Sequence, residues 1–234
     1  MPNVLTIDSS TNAVAVACGT SDQDAASRCV EQRAFHSENI LVVIDEILKE
    51  RSWVMKDIQV IGVGVGPGLF TGLRVGISAA HAFAHALDIP LVYFSSLELV
   101  ANRLSLESRP EGFSTKDLNI EVDAKRYDIR VARDARRGEF YRATYSSTLI
   151  PVTACTIDTT IFSTKRERIV SESLIAYEEY GEEETTTPPD TRYMIDHVIE
   201  AVQAGVIANT FTPSALYIRK SDAELSWNIQ VSAS

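Results

Sequence analysis

Apolar and polar positions divide the chain into short blocks whose period changes from two to about three and a half. Residues 3–8 (NVLTID) form a run rich in branched side chains, and Ala13 to Cys18 (AVAVAC) alternates small and branched residues after the polar stretch SSTN. This pattern predicts a strand, a turn and a returning strand. From Ser37 the period lengthens: Ile40, Leu41, Val43, Ile44, Ile47 and Leu48 fall at helical spacing behind a Ser37 cap, so one amphipathic helix follows. The apolar run 58–65 (IQVIGVGV) enters GPGLFTGLRVG, and a second helical stretch continues to Leu87, giving a strand, glycine loop and helix in succession. Pro90 to Phe94 reads as a buried strand and SSLELVANRL as a helix that closes a first lobe, residues 1–104. Polar, irregular sequence at 105–117 opens a second lobe, 105–234. There the pattern predicts a strand near 118–123, a charged segment, a strand at Glu139 to Tyr145, an acidic loop, a helix at 191–204 and a final TPSALYIRK segment, a candidate to pack back on the first lobe.

Length and composition fit this division. A chain of 234 residues with 45% hydrophobic positions can bury about 70% or more of its unfolded surface, so it needs neither a metal nor a disulfide to fold. Cys18, Cys29 and Cys155 are odd in number, widely spaced and without a CxxC pair, which indicates neither a disulfide framework nor a zinc site. No basic stretch followed by an apolar run stands at the start, and no segment approaches the roughly 18 apolar residues of a membrane span. A cytoplasmic protein without membrane contact is expected. The net charge of −10 repels polyphosphate at long range and argues against strong binding of nucleic acid by this chain alone. Five glutamates within 178–184 (EEYGEEE) supply much of that excess and read as a solvated loop.

The segment IGVGVGPGLFTGLRVG (61–76) carries the densest signal. Glycines between a strand and a helix start let backbone approach another surface closely, and such a loop can also present N–H groups to an anion. Gly66, Gly68, Thr71 and Arg74 are therefore candidate nucleotide or anion contacts, with a tight structural turn as the other reading. The loop is neither a Walker loop nor a dinucleotide fingerprint. Asp8, at the end of the first strand, joins the candidates because actin-like ATPases place an acidic residue and a phosphate-contacting hairpin there. Here no glycine lies between Asp8 and Asn12, and a capped turn is the alternative.

Gly72, Gly76, Ala80 and Ala84 recur every four residues and make one helix face nearly flat. Glycine inside a helix costs about 1 kcal/mol relative to alanine, so close packing is expected, either on this chain's own sheet or on a partner. His81 and His85 stand one turn apart without an acidic or cysteine companion, and no metal site is expected. Between Lys125 and Arg142 seven basic residues face three acidic ones, the one basic region of an acidic chain. Arg136, Arg137, Glu139 and Tyr141 are its candidate contacts to an anionic ligand or RNA, with internal ion pairs as the equal alternative.

Together these segments resemble the TsaB (YeaZ) family of bacterial threonylcarbamoyladenosine biosynthesis proteins. The likeness is strongest in GPGLFTGLRVG, where the family has GPGSFTGLRIG. It recurs in order in LTIDSSTNAVAVA, HSENILVVIDEILKE, DARRGEFYRATY and LYIRKSDAELSW, and so covers most of the chain. Leu69 departs from the family's serine and makes the loop start similar to the paralogous catalytic subunit TsaD. TsaD proteins are longer and hold a metal through an HxxxH motif; the corresponding positions here are Ser96 and Val100, neither a credible ligand.

The resemblance implies an α/β fold of two actin-like lobes, of the ASKHA superfamily and ribonuclease H-like, with mixed sheets flanked by helices. It implies no catalytic residues and no intrinsic cofactor, with ATP or ADP at the interface of a complex. The expected role is that of a partner subunit supporting a TsaD-type catalytic subunit and a TsaE-type ATPase in making the t6A37 modification of ANN-decoding tRNAs, with tRNA met through the complex. Helices 37–50 and 72–87 would form a bundle with TsaD, or a homodimer in its absence, through Ile40, Ile44, Ile47, Gly72, Gly76, Ala80 and Ala84. The alternative is a stand-alone actin-like ATPase or sugar kinase, which would need an intact phosphate hairpin after Asp8 and an adenosine loop in the second lobe. A glycoprotease finds no supporting motif.

Overall fold

The structure, a computed structural model, describes residues 1–31, 37–107, 129–136, 139–145, 155–158, 169–171 and 189–208. The expected strand near 118–123, the acidic loop and TPSALYIRK lie outside them, as does the side chain of Ser37. Among the described residues the strands form two sheets, and the fold class is α/β with mixed sheets flanked by helices.

The first sheet has the order β3-β2-β1-β4-β5. Strand β1 (Val4–Asp8) pairs antiparallel with β2 (Ala13–Gly19), and β2 pairs antiparallel with β3 (Ala25–Glu31). On its other side β1 runs parallel to β4 (Val60–Gly64), which runs parallel to β5 (Leu91–Phe94). Parallel neighbours need long crossovers, and α1 (Ser37–Glu50) and α2 (Phe70–Leu87) supply the helices that precede and follow β4. Strand β3 has no counterpart in the sequence expectation.

Both faces of this sheet are covered, so β1 and β2 are buried along their whole length. The pleat sends Leu5, Ile7, Val14, Val16, Ile61, Val63 and Leu91 to one face, against Ile40, Ile44, Ile47, Leu73, Ile77, Ala80 and Ala84 of the two helices. It sends Val4, Ala17, Val60, Val92 and Phe94 to the other, against Met194, Ile195, Val198 and Ile199. These belong to a 3-10 turn, Thr191–Met194, and to α4 (Ile195–Gln203). Gly62 is what lets α4 approach, since a Cβ there would press on Cγ2 of Val198. Thr6 Oγ1 donates to the Thr191 carbonyl at 2.9 Å from the same face.

Helix α2 stops at Asp88, whose left-handed backbone (φ 54°) turns its N–H back onto the carbonyls of Ala84 and His85, two residues before Pro90. Helix α3 (Ser96–Glu107) joins the two halves. Its Leu99 packs among the residues of α4, while Leu97, Val100 and Ala101 pack on the second sheet. That sheet has the order β8-β7-β6-β9, built from β6 (Ile129–Arg136), β7 (Glu139–Tyr145), β8 (Thr156–Asp158) and β9 (Ile169–Ser171). The charged segment before Glu139 is thus a strand: Val131 and Ala135 are buried under α3, and charged residues occupy other positions along it.

Candidate functional site

The turn after β1, the glycine loop after β4, the start of α3 and β6 meet at one buried point. Asp8 is fully buried. Its Oδ1 accepts from the Ser10 backbone N–H at 3.0 Å and from the Ser10 hydroxyl at 2.5 Å, which closes the polar turn on itself. Its Oδ2 accepts from the Ser96 hydroxyl at 2.5 Å. Ser96 ties the loop in turn, because its Oγ accepts from the Gly66 N–H at 3.2 Å and its N–H donates to the Gly66 carbonyl at 2.9 Å.

The glycines serve this convergence. A Cβ at Gly64 would overlap the Asp8 carboxylate, and one at Gly68 would overlap the Ser10 carbonyl, which accepts from the Leu69 N–H at 2.7 Å. Gly66 has φ 103°, a backbone that favours glycine, and a cis peptide to Pro67. Farther along α2, a Cβ at Gly76 would overlap the Ser9 hydroxyl, which donates to the Gly72 carbonyl at 2.8 Å.

Arg133, 5% exposed, enters from β6. Its Nη1 donates to Ser10 Oγ at 2.6 Å and to the Pro67 carbonyl at 2.8 Å, and its Nη2 to the Ser96 carbonyl at 3.1 Å. The Ser10 hydroxyl therefore stands between a buried carboxylate and a buried guanidinium, donating to one and accepting from the other. Each charge is hydrogen-bonded, the condition under which burial is tolerated.

Of the expected nucleotide or anion contacts, the structure brings Asp8, Gly66 and Gly68 together. Thr71 and Arg74 are exposed near the start of α2, where the Arg74 guanidinium sits 3.7 Å from the Phe70 ring centroid. Both Asp8 oxygens are engaged from inside, so this carboxylate holds loops rather than facing an open cleft. In the basic segment, Arg137 and the Arg136 side chain lie outside the described residues. Glu139 is half-buried, and Tyr141 is a correction: its ring belongs to the apolar cluster under α3 and is not a surface contact.

A second correction concerns the expected partner residues. Ile40, Ile44, Ile47, Gly72, Gly76, Ala80 and Ala84 are all buried, Ala80 completely, against the chain's own sheet and the Ser9 turn. The outward faces carry other residues: Leu41 (51% exposed) and Val42 (55%) on α1, and Ser78, Ala82 and Ala86 on α2.

Remaining chemistry is sparse. His81 is buried and lies 2.6 Å from the Tyr93 hydroxyl, while His85 is exposed. Among the described residues no group of three His, Cys, Asp or Glu side chains could hold a metal ion. Burial pushes the Cys18 thiol up to about 11 and the Cys155 thiol to about 12, so neither is a thiolate nucleophile at neutral pH. No helix among the described residues is long and apolar enough to cross a membrane.

Sequence reasoning missed Arg133, Ser10 and Ser96 as a unit. A signal existed for Arg133: the strand period places residue 133 on the same side as Val131 and Ala135, and a lone arginine at an inward position needs acceptors waiting for it.

A family model described as TsaD: tRNA N6-adenosine threonylcarbamoyltransferase matches residues 31–175. The chain is 25% identical to a tRNA threonylcarbamoyladenosine biosynthesis protein TsaB from Haemophilus influenzae, across 96% of this chain and 95% of that one. A tRNA N6-adenosine threonylcarbamoyltransferase from Bacillus thuringiensis is 46% identical over 74 residues, which cover 31% of this chain and 22% of that protein. Among solved structures, YeaZ from Pseudomonas aeruginosa superposes with a TM-score of 0.73 at 20% identity, covering 93% of this chain and all of the other. Its fold is the fold described above.

Proposed function

Since the chain belongs to the family described as TsaD: tRNA N6-adenosine threonylcarbamoyltransferase, and among such proteins is similar to TsaB nearly from end to end, we propose that it is the TsaB-type partner subunit of tRNA threonylcarbamoyladenosine synthesis. In this role it carries no catalytic group. It supports a TsaD-type subunit that transfers threonylcarbamoyl from its adenylate to ANN-decoding tRNAs, and it works alongside a TsaE-type ATPase. It forms a homodimer when that partner is absent. Adenine nucleotide is met at the interface of the complex, and tRNA through the complex.

The observation that carries this reading is the difference in coverage: the chain spans 95% of a TsaB but only 22% of a TsaD. Two residues add to it. Ser96 and Val100 stand where the resemblance puts TsaD's metal ligands. Ser96 is spent on Asp8 and Gly66, and Val100 is 7% exposed in the apolar cluster under α3. An aliphatic side chain in an apolar setting offers a divalent ion nothing.

The partner surface follows from the outward helix faces. Leu41, Val42, Ala82 and Ala86 form apolar and small-residue surface on α1 and α2, and small residues allow a second pair of helices to approach closely. The test is reconstitution with purified TsaD-type and TsaE-type subunits, ATP, threonine, bicarbonate and an enzyme that forms the adenylate. Modification of tRNA should require this chain together with TsaD, and the chain without TsaD should give none. Modification by the chain without TsaD, or full activity of the mixture when the chain is left out, contradicts the proposal.

A further inference from the structure

We propose that Arg133 is an internal latch: its guanidinium binds the second sheet to three separate segments of the first half and fills the point between the sheets with a cation, so that a phosphate is refused there. The three acceptors come from positions 10, 67 and 96, in the turn after β1, the glycine loop and the start of α3. A planar fork with several N–H groups can reach them at once, which a lysine ammonium on its flexible stem does less well.

The polarity of the lining supports the second half of the claim. Around Arg133 stand two carbonyl oxygens and a hydroxyl oxygen, all accepting, with the Asp8 carboxylate one hydroxyl away. Three N–H groups of the turn and loop are already committed: Gly66 to Ser96 Oγ, Leu69 to the Ser10 carbonyl, and Ser10 to Asp8. An anion entering here would displace the guanidinium, meet a carboxylate and find no free donor among these groups. The glycines that suggest phosphate binding are instead used to let this turn, loop and helix start touch.

Arg133→Ala, Arg133→Lys and the parent chain should be compared by hydrogen exchange at the Leu69 and Ser96 amides and by thermal unfolding. In Arg133→Ala, opening at both amides should increase about ten- to a hundredfold, the factor that corresponds to leaving charge-assisted acceptors unpaired. Millimolar methylguanidinium should restore part of that protection in the variant and none in the parent, whereas methylammonium at equal ionic strength should not. Should Arg133→Ala not fold, Arg133→Lys carries the same exchange measurement, with both amides opening faster than in the parent. Inorganic pyrophosphate should leave the melting temperature of the parent chain unchanged. Equal exchange in the parent and the variants, or stabilisation of the parent by pyrophosphate that Arg133→Lys abolishes, would overturn the proposal.

Discussion

The two faces of the first sheet are closed by helices of different origin and different outward character. One face carries α1 and α2, close in sequence to the strands they cover, and their outer sides expose Leu41, Val42, Ala82 and Ala86. The other carries α4, which returns from residue 195 and exposes Glu200 and Gln203. Both inner surfaces are buried, so burial does not tell the faces apart. Outer chemistry differs in kind: α4 exposes Glu200 and Gln203, while α1 and α2 expose Leu41, Val42, Ala82 and Ala86 beside charged residues such as Asp45, Glu46 and Lys49.

The sharpest way to break this contrast is to exchange the roles of the two sides of α2. Ala80, fully buried, belongs to the inner ridge. Ala80→Leu should therefore destabilise the chain by about 1–3 kcal/mol through overpacking, visible in thermal unfolding, while the folded fraction still binds a TsaD-type partner. An unchanged melting temperature would move Ala80 to the outer side.

The α4 side can be probed through its cap. Asp22, beyond the end of β2, accepts from the Asp196 N–H at 2.8 Å in the first turn of α4, and Asp196 accepts from the Asp22 N–H at 3.2 Å. Burial pushes the Asp22 carboxyl up from 3.8 to about 6, and the charges of Asp196 and Glu200 add to the rise. A carboxyl whose value is raised on folding stabilises the native state in its protonated form. That contribution is complete below the ordinary value near 4 and is lost as pH rises through 6. Asp22→Asn keeps an acceptor and cannot ionise, so it should gain about 1–2 kcal/mol at pH 7.5 and little at pH 4. A gain of equal size at both pH values would assign the effect to something other than the charge.

A smaller effect lies at the start of α2. Leu69 occupies the N-cap with an extended backbone (φ −66°, ψ 121°) and no side-chain hydrogen bond to the first turn. Leu69→Ser supplies the missing acceptor and should raise stability by about 0.5–1 kcal/mol. No gain in thermal unfolding would show that Leu69 contributes packing of similar size.

What could be read from the sequence follows the same division. Helices α1 and α2 were legible because long amphipathic segments carry their own period, and β1, β2 and β5 because branched and apolar residues cluster in them. Strand β3 was not, since AASRCVE lies half-exposed on the edge and shows no alternation. Strand β6 was hidden because its arginines and aspartate read only as a charged segment, although Val131 and Ala135 mark its inner side. Which side of α2 faces outward was not legible either. Small residues recur at Gly72, Gly76, Ala80 and Ala84, and again at Ser78, Ala82 and Ala86, so only the position of the sheet separates the two ridges. The inward position of Arg133 carried a signal in the strand period, but its partners did not, because the acceptors come from positions 10, 67 and 96 and no local pattern joins them.

The most direct test of the account is the affinity of a TsaD-type subunit for the parent chain and for Ala82→Glu, measured by titration calorimetry beside thermal unfolding of each chain. Ala82 is exposed, so the substitution should change stability by no more than about 0.5 kcal/mol. A charge buried without a partner in the interface should weaken association by about tenfold or more. Unchanged affinity for TsaD would contradict the assignment of the outward face of α2 as the partner surface.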